Sequence, residues 1–184
     1  MKVLIDPGHA PGNANRGQNG YREYESMWRL SNMLKKRLEA NGVYVELSRG
    51  EDEDPPLEER GGKSKGFDLF ISEHTNAFNK IARGVECFYS ITQPENRETA
   101  ARLSAEIAKL INTPDRGAKT REGDNGQDYY GVIRAAAAAG CPRIFLIESG
   151  FHDNLEDEAF LLLDDNLQKI AEIQADIILS VLED

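Results

Sequence analysis

The sequence is poor in several kinds of residue, and each shortage excludes a class of protein. Its 184 residues include only two cysteines, Cys87 and Cys141, which form neither a Cys-x-x-Cys pair nor a finger-like cluster. A disulfide between them stays open, although nothing in the spacing asks for one. No apolar run is long enough to span a membrane, and no signal-peptide pattern precedes the first predicted strand. We therefore expect synthesis in the cytoplasm without a signal peptide, and no membrane insertion.

Positive charge is also scarce. The chain has 22 Lys and Arg residues against 32 Asp and Glu residues, for a formal net charge of −10. From Glu148 to the end, Lys169 is the single basic residue apart from histidine. Nucleic-acid binding needs basic patches, so the composition argues against a nucleic acid as partner. An acidic surplus is typical of a surface that keeps a protein soluble, and it leaves the oligomeric state open.

Short apolar runs alternate with amphipathic segments along the whole chain. Strands are predicted at residues 2–6, 43–48, 68–74, 83–91 and 143–147, with an edge strand at 116–121. Helices are predicted at residues 23–40, 57–65, 95–110, 155–163 and 167–182, with a small-residue helical turn at 135–139 and N-caps at Asn154 and Asp165. The alternation predicts an α/β fold, a three-layer αβα sandwich around a largely parallel, twisted sheet of about six strands. We find no linker or repeat and expect residues 1–184 to form one domain.

Three predicted strands end in, or run into, a side chain capable of chemistry. The first strand leads to His9, the strand DLFISEH ends at His74, and the strand RIFLI runs into Glu148. In open α/β sheets, sites form outside the carboxyl ends of the strands. A lone histidine would be a turn residue, but three such side chains at one end of a sheet indicate a site.

The helix predicted over residues 23–40 carries a fourth candidate. Its apolar stripe predicts the face that packs on the sheet, and it comprises Met27, Leu30, Leu34 and Leu38. Glu23 lies four residues before Met27 and therefore on the same face, whereas Glu25 is turned away. A carboxylate that points at a core must be paired or bind a metal. The alternative is that Glu23 is only a favourable acidic residue in the first helical turn.

Two histidines and one carboxylate form a known ligand set for catalytic zinc, with the fourth position left to water. His9, Glu23 and His74 therefore predict a Zn²⁺ site. The same set also serves non-haem iron, but nothing in the sequence indicates an oxygenase cosubstrate site. Zinc lowers the pKa of its water toward ~7 and polarises a carbonyl oxygen. Glu148 is the candidate general base that passes the proton to a leaving amine.

Other polar residues carry weaker signals. Asn76, two residues after His74, either orients the site or forms a turn. His152 is predicted to be an exposed loop residue without a role. Tyr129 and Tyr130 end a polar loop, and they either line a groove or simply pack.

Several motifs follow one another in order between residues 2 and about 154. They are IDPGHAPG, NGYREYE, DLFISEHTNA, and a stretch that runs from RGAKTREG to IESGFHDN. Together they resemble the zinc-dependent N-acetylmuramoyl-L-alanine amidases of the Amidase_3 type, which occur in bacterial autolysins, sporulation enzymes and phage endolysins. The corresponding family segments are a DPGHG loop, G-L-x-E, D-L-F-I-S-I-H-A-N-A, and R-G-V-K through V-E-x-G-F-x-x-N.

This resemblance implies zinc ligands at His9, Glu23 and His74 and a catalytic glutamate at Glu148. It implies a zinc amidohydrolase that cleaves the amide bond between N-acetylmuramic acid and the L-alanine of the stem peptide in peptidoglycan. Residues 1–184 would be a single catalytic domain, with no wall-binding domain in this chain. The enzyme would act on the cell wall, either after release by lysis or as part of a longer protein.

The chain departs from the family pattern at a few places. Ala-Pro-Gly follows His9 where Gly-Gly is common, and the loop over residues 120–130 is longer than the minimal form. Glu73 stands where isoleucine is usual, and strand alternation puts it on the face opposite His74, so it is not expected to be a ligand. Two alternatives stay open: a zinc peptidase that cuts within the stem peptide, and a non-catalytic wall-binding module with a relict zinc site.

Overall fold

The apolar runs of the chain form six strands in one sheet. The computed structural model describes residues 1–183, and the side chains of residues 1–182. The strands are β1 (Lys2–Pro7), β2 (Tyr44–Leu47), β3 (Leu69–Asn76), β4 (Val85–Tyr89), β5 (Asp115–Lys119) and β6 (Ile144–Phe151). Their order in the sheet is β2-β1-β3-β6-β4-β5. The pairs are parallel except β4 with β6, which is antiparallel, so the predicted largely parallel sheet is confirmed.

Helices cover both faces of this sheet, because successive strand residues are apolar on both sides. The helices are α1 (Glu23–Glu39), α2 (Leu57–Gly62), α3 (Arg97–Ile111), α4 (Gly131–Ala138), α5 (Leu155–Leu161) and α6 (Asp164–Glu183). One buried cluster joins Val3 and Ile5 of β1 to α1, α3 and α6. A second joins Leu4 of the same strand to α4 on the opposite face. The three-layer αβα prediction is therefore confirmed.

Two local predictions were wrong. Helix α4 begins at Gly131 rather than at residue 135, because Val132 and Ile133 pack into the buried cluster of the sheet and extend the helix toward its N-terminus. Asp165 is not an N-cap, because α6 begins one residue earlier, at Asp164. The predicted cap at Asn154 is confirmed, since its side chain accepts hydrogen bonds from the first turn of α5.

A buried carboxylate fixes the end of β1, from which the site loop departs. Asp6 is fully buried and accepts hydrogen bonds from Ser72 Oγ at 2.6 Å, from Arg60 Nε at 2.7 Å and from the Ser48 hydroxyl. A buried charge is tolerated only with such pairing. The Arg60 guanidinium also donates to the carbonyl oxygen of Pro7 at 2.7 Å, so the chain leaves the strand in one direction.

The two cysteines are both buried and free, which closes the question of a disulfide between them. Among the helices of the described residues, none combines the length and the apolarity that crossing a bilayer demands.

Candidate active site

The loop after β1 brings His9 to the carboxyl end of the sheet. Gly8 precedes it and donates its backbone N–H to the carbonyl oxygen of Glu73 at 2.9 Å. A Cβ at Gly8 would lie 2.2 Å from that oxygen and 2.8 Å from the imidazole of His74, so only glycine fits there. His9 itself has φ of 57°, a left-handed conformation that costs about 1–3 kcal/mol in a non-glycine residue. Strained backbone of this kind is concentrated at functional sites.

Three donor groups converge at this edge of the sheet. His9 Nε2 lies 3.2 Å from Glu23 Oε2, and His74 Nδ1 lies 3.3 Å from Glu23 Oε1. All three ligand atoms lie within 4.8 Å of one another. Zinc–ligand bonds of about 2.0–2.2 Å in a tetrahedron hold neighbouring ligand atoms roughly 3.3–3.6 Å apart. The two histidine–glutamate distances are close to this spacing, and the donor set fits a zinc ion in its chemistry.

Glu23 is held as an anion inside the protein. Its side chain is fully buried at the start of α1, while Glu25 is exposed, as the helical stripe predicted. Burial by itself would raise the pKa of this carboxyl group, but hydrogen bonds from His74 and His9 outweigh it and hold the pKa well below its ordinary value. The backbone N–H of Thr75 donates to Oε1 at 2.9 Å and Asn15 Nδ2 donates to Oε2 at 2.8 Å, so both oxygens are oriented.

Glu148 lies beside His74, its register partner across the β3–β6 ladder. Its side chain is buried, and its Oε2 has no hydrogen-bond partner within the described residues. Burial raises the pKa of Glu148 well above the ordinary value, and the charges of Glu23 and Glu86 raise it further. A buried, unpaired carboxyl oxygen with a raised pKa is suited to take a proton from water and give it up again.

A cavity of about 410 Å³ opens over these groups. Its lining contains the candidate ligands and Glu148 together with Asn15, Thr75, Asn76, Ala77, Tyr130 and His152. Sequence reasoning left the roles of Asn76, Tyr129 and Tyr130 open. Tyr130 lines the cavity wall, whereas Tyr129 is exposed and is not part of the lining. Asn76 ends β3 and donates from its amide to Glu86 at 2.9 Å, so it contacts the acidic neighbour of Glu148.

The expectation for His152 was wrong. The residue is 3 % exposed and lines the cavity, instead of lying in an exposed loop. The reason is that β6 continues to Phe151, so the next residue stays at the strand end and donates its backbone N–H to the carbonyl oxygen of Asn76. Sequence reasoning also missed Tyr21 and Thr75, which are buried beside it. The sequence carried no local signal for them, because the predicted strand ended at residue 147, whereas β6 continues to Phe151.

The fold and the site define a class: an α/β domain with a candidate metallohydrolase centre at the carboxyl ends of its parallel strands. The family model described as N-acetylmuramoyl-L-alanine amidase, Amidase_3, matches residues 3–180, and the chain belongs to this family.

Individual relatives agree with this assignment. The chain is 29% identical over 175 residues to the N-acetylmuramoyl-L-alanine amidase CwlM of Bacillus licheniformis, covering 93% of this chain and 64% of that protein. It is 32% identical over 123 residues to the N-acetylmuramoyl-L-alanine amidase LytC of Bacillus subtilis, covering 64% of this chain and 25% of that protein. The match therefore spans less than two thirds of either relative.

Among solved structures, Cwp6 from Clostridium difficile superposes with a TM-score of 0.83 at 30% identity. The match covers 97% of this chain and 29% of that one. In all three matches, the matched region makes up only part of the longer relative.

Proposed function

We propose that this protein is a zinc-dependent amidase that hydrolyses the bond between N-acetylmuramic acid and the L-alanine of the stem peptide in bacterial peptidoglycan. The observation that carries the proposal is the convergence of His9, Glu23 and His74, whose ligand atoms lie within 4.8 Å of one another, beside a buried oxygen of Glu148 that has no hydrogen-bond partner within the described residues. Membership in a family of cell-wall amidases supports the substrate. We also propose that the protein acts on the bacterial cell wall.

The chain's own residues divide the chemistry between them. Zinc, when bound, polarises the amide carbonyl and lowers the pKa of a water molecule. Glu148 takes a proton from the attacking water as the water oxygen adds to the carbonyl carbon. The same carboxyl group then delivers that proton to the alanine nitrogen as the C–N bond breaks, leaving a lactyl carboxylate and a free amino terminus. Burial and the charges of Glu23 and Glu86 raise the pKa of this carboxyl group, which makes it a stronger base than an ordinary glutamate.

A digest of purified peptidoglycan tests the reaction. The protein is supplied with zinc, and new end groups are labelled and identified. The proposal predicts free amino termini on L-alanine. New reducing sugar ends would indicate a glycosidase, and a different new amino terminus would indicate a peptidase that cuts within the stem. Wall binding without cleavage would support the wall-binding module, and any of these three results would overturn the proposal.

Paired variants assign the roles within the site. Glu148→Gln should lower turnover by roughly 10²–10⁴-fold, because the base is lost, while zinc still binds. Glu23→Gln should lose zinc, because a neutral amide replaces the anionic ligand. Glu25→Gln, two residues along the same helix but exposed, is the matched control and should keep both zinc and activity. Zinc content measured by atomic absorption, together with turnover, separates the three outcomes.

A further inference from the structure

Three buried polar residues form a hydrogen-bonded row behind the candidate metal ligands. Tyr21 OH lies 3.1 Å from Thr75 Oγ1, and Thr75 Oγ1 lies 3.0 Å from His152 Nδ1. The residues are 1 %, 4 % and 3 % exposed, respectively. In the family segments compared above, leucine occupies the position of Tyr21, alanine that of Thr75, and no particular residue that of His152. The family pattern therefore requires no polar residue at any of these three positions.

The row converges on a β-bulge. The register of the β3–β6 ladder shifts between His74 and Asn76, with Thr75 as the residue between them. Opposite Thr75, β6 supplies two residues, Ser149 and Gly150, so the extra residue of the bulge lies in β6. A bulge bends the strand that carries it and interrupts the ladder at that point. The backbone N–H of Thr75 donates to Glu23 Oε1 at 2.9 Å. Thr75 thus connects β3 directly to the carboxylate that lies between the two candidate histidine ligands.

Both ends of the row are fixed to the fold. The rings of Tyr21 and His152 are stacked, with centroids 5.8 Å apart and planes 15° from parallel. The His152 backbone N–H donates to the carbonyl oxygen of Asn76 at 2.9 Å, which ties it to the far side of the bulge. The Thr75 hydroxyl lies within hydrogen-bond distance of both the Tyr21 hydroxyl and the His152 imidazole. The Thr75 hydroxyl is accordingly held from two sides.

We propose that Tyr21, Thr75 and His152 are positioning residues, which hold the bulge so that the Thr75 amide fixes Glu23 and the adjacent His74 in metal-binding geometry. The inference rests on the proposed function, because it assumes that these ligands bind zinc. None of the three residues is required to touch the metal. Their effect should appear in metal affinity, since loss of a hydrogen-bonding partner that orients a metal ligand typically costs 10–100-fold.

An isosteric pair of variants at Thr75 tests this most cleanly. Thr75→Val keeps the shape and removes the hydroxyl, whereas Thr75→Ser keeps the hydroxyl and removes a methyl group. We expect Thr75→Val to weaken zinc binding by roughly 10–100-fold and Thr75→Ser to stay within about threefold of the wild type. Zinc dissociation constants are measured by competition with a chromogenic chelator, a readout that does not depend on turnover.

Ser104→Ala is the matched control. Ser104 is also fully buried and donates from its hydroxyl to the carbonyl oxygen of Val85 at 2.9 Å, but it belongs to α3, outside the cavity lining. If buried hydroxyls mattered only for general stability, this variant would weaken zinc binding as much as Thr75→Val does. We expect it to lower the melting temperature and leave zinc affinity unchanged.

Tyr21→Phe provides a second test should Thr75→Val fail to fold, because it removes one atom from the outer end of the row. It should weaken zinc binding in the same direction. Combined with Thr75→Val it should cost less than the sum of the single effects, because both changes break one row.

The outcomes separate the two proposals. If the wild type binds zinc but Thr75→Val and Tyr21→Phe bind it as tightly as Ser104→Ala does, the positioning role is overturned and the amidase proposal stands. If the wild type itself binds no zinc, both are overturned.

Discussion

At the residue scale, Glu23 and Glu73 show how the surroundings of a buried carboxyl group determine whether it is charged. Glu23 faces two imidazoles and is held as an anion. Glu73 is also fully buried, but it faces the apolar core and has a single hydrogen bond, from Gln174 Nε2 at 2.9 Å. Burial raises the pKa of Glu73 to about 8, against the opposing effect of that hydrogen bond. It is therefore mostly a neutral acid at pH 7, and it lies opposite His74 as strand alternation predicted.

This raised pKa makes stability depend on pH. Between the ordinary carboxyl value of 4.5 and about 8, folded Glu73 keeps a proton that the unfolded chain has released. Its contribution to the free energy of unfolding therefore falls as pH rises through that window. Glu73→Gln removes this dependence. We expect the variant to gain stability relative to the wild type, on the order of a few kcal/mol at pH 8 and little at pH 4.5.

Urea unfolding of metal-free protein at both pH values measures the difference. The wild type serves as the reference at each pH, so other titrating groups cancel in the comparison. An equal difference at pH 4.5 and at pH 8 would contradict a buried neutral Glu73.

At the element scale, the corner between β6 and α5 supports the rim of the cavity. Asn154 caps α5 by accepting from the backbone N–H of Glu156 at 3.0 Å. Its own amide donates to the carbonyl oxygen of Lys80 at 3.2 Å, in the loop that follows β3. The neighbouring Asp153 carboxylate accepts from two backbone N–H groups of the same loop, those of Phe78 and Lys80. The turn after β6 therefore stabilises both the first turn of α5 and the loop that follows β3.

Two substitutions at Asn154 separate these functions. Asn154→Asp keeps the cap acceptor but loses the donation to the loop, whereas Asn154→Ala loses both. We expect Asn154→Ala to lower the free energy of unfolding by about 1–2 kcal/mol and Asn154→Asp by less, because aspartate caps a helix as well as asparagine does. Thermal unfolding followed by circular dichroism measures both. Equal losses would mean that the loop contact, and not the cap, provides the stability.

At the scale of the whole molecule, local patterns predicted the elements and which strand ends matter. His9, His74 and Glu148 follow apolar runs, and parallel strands bring such ends to one edge of a sheet. The strand order was not predictable, because pairing between segments tens of residues apart leaves no local trace. That order places β3 between β1 and β6, which makes the three candidate side chains neighbours.

The parts that sequence reasoning missed depend on the same long-range packing. Helix α4 starts early because the sheet buries its first turn. His152 is buried because β6 extends past Glu148 and because Tyr21, from a loop more than a hundred residues earlier, stacks on it. Burial of this kind is created by the tertiary fold, so composition and periodicity gave no sign of it.

The central claim is that one zinc ion lies between His9, Glu23 and His74. Diffraction data from crystals grown with zinc, collected on both sides of the zinc absorption edge, test it most directly. The account predicts a single strong anomalous peak about 2.0–2.2 Å from a nitrogen of each histidine and an oxygen of Glu23. An empty cluster at full zinc loading, or a peak held by other residues, would contradict it.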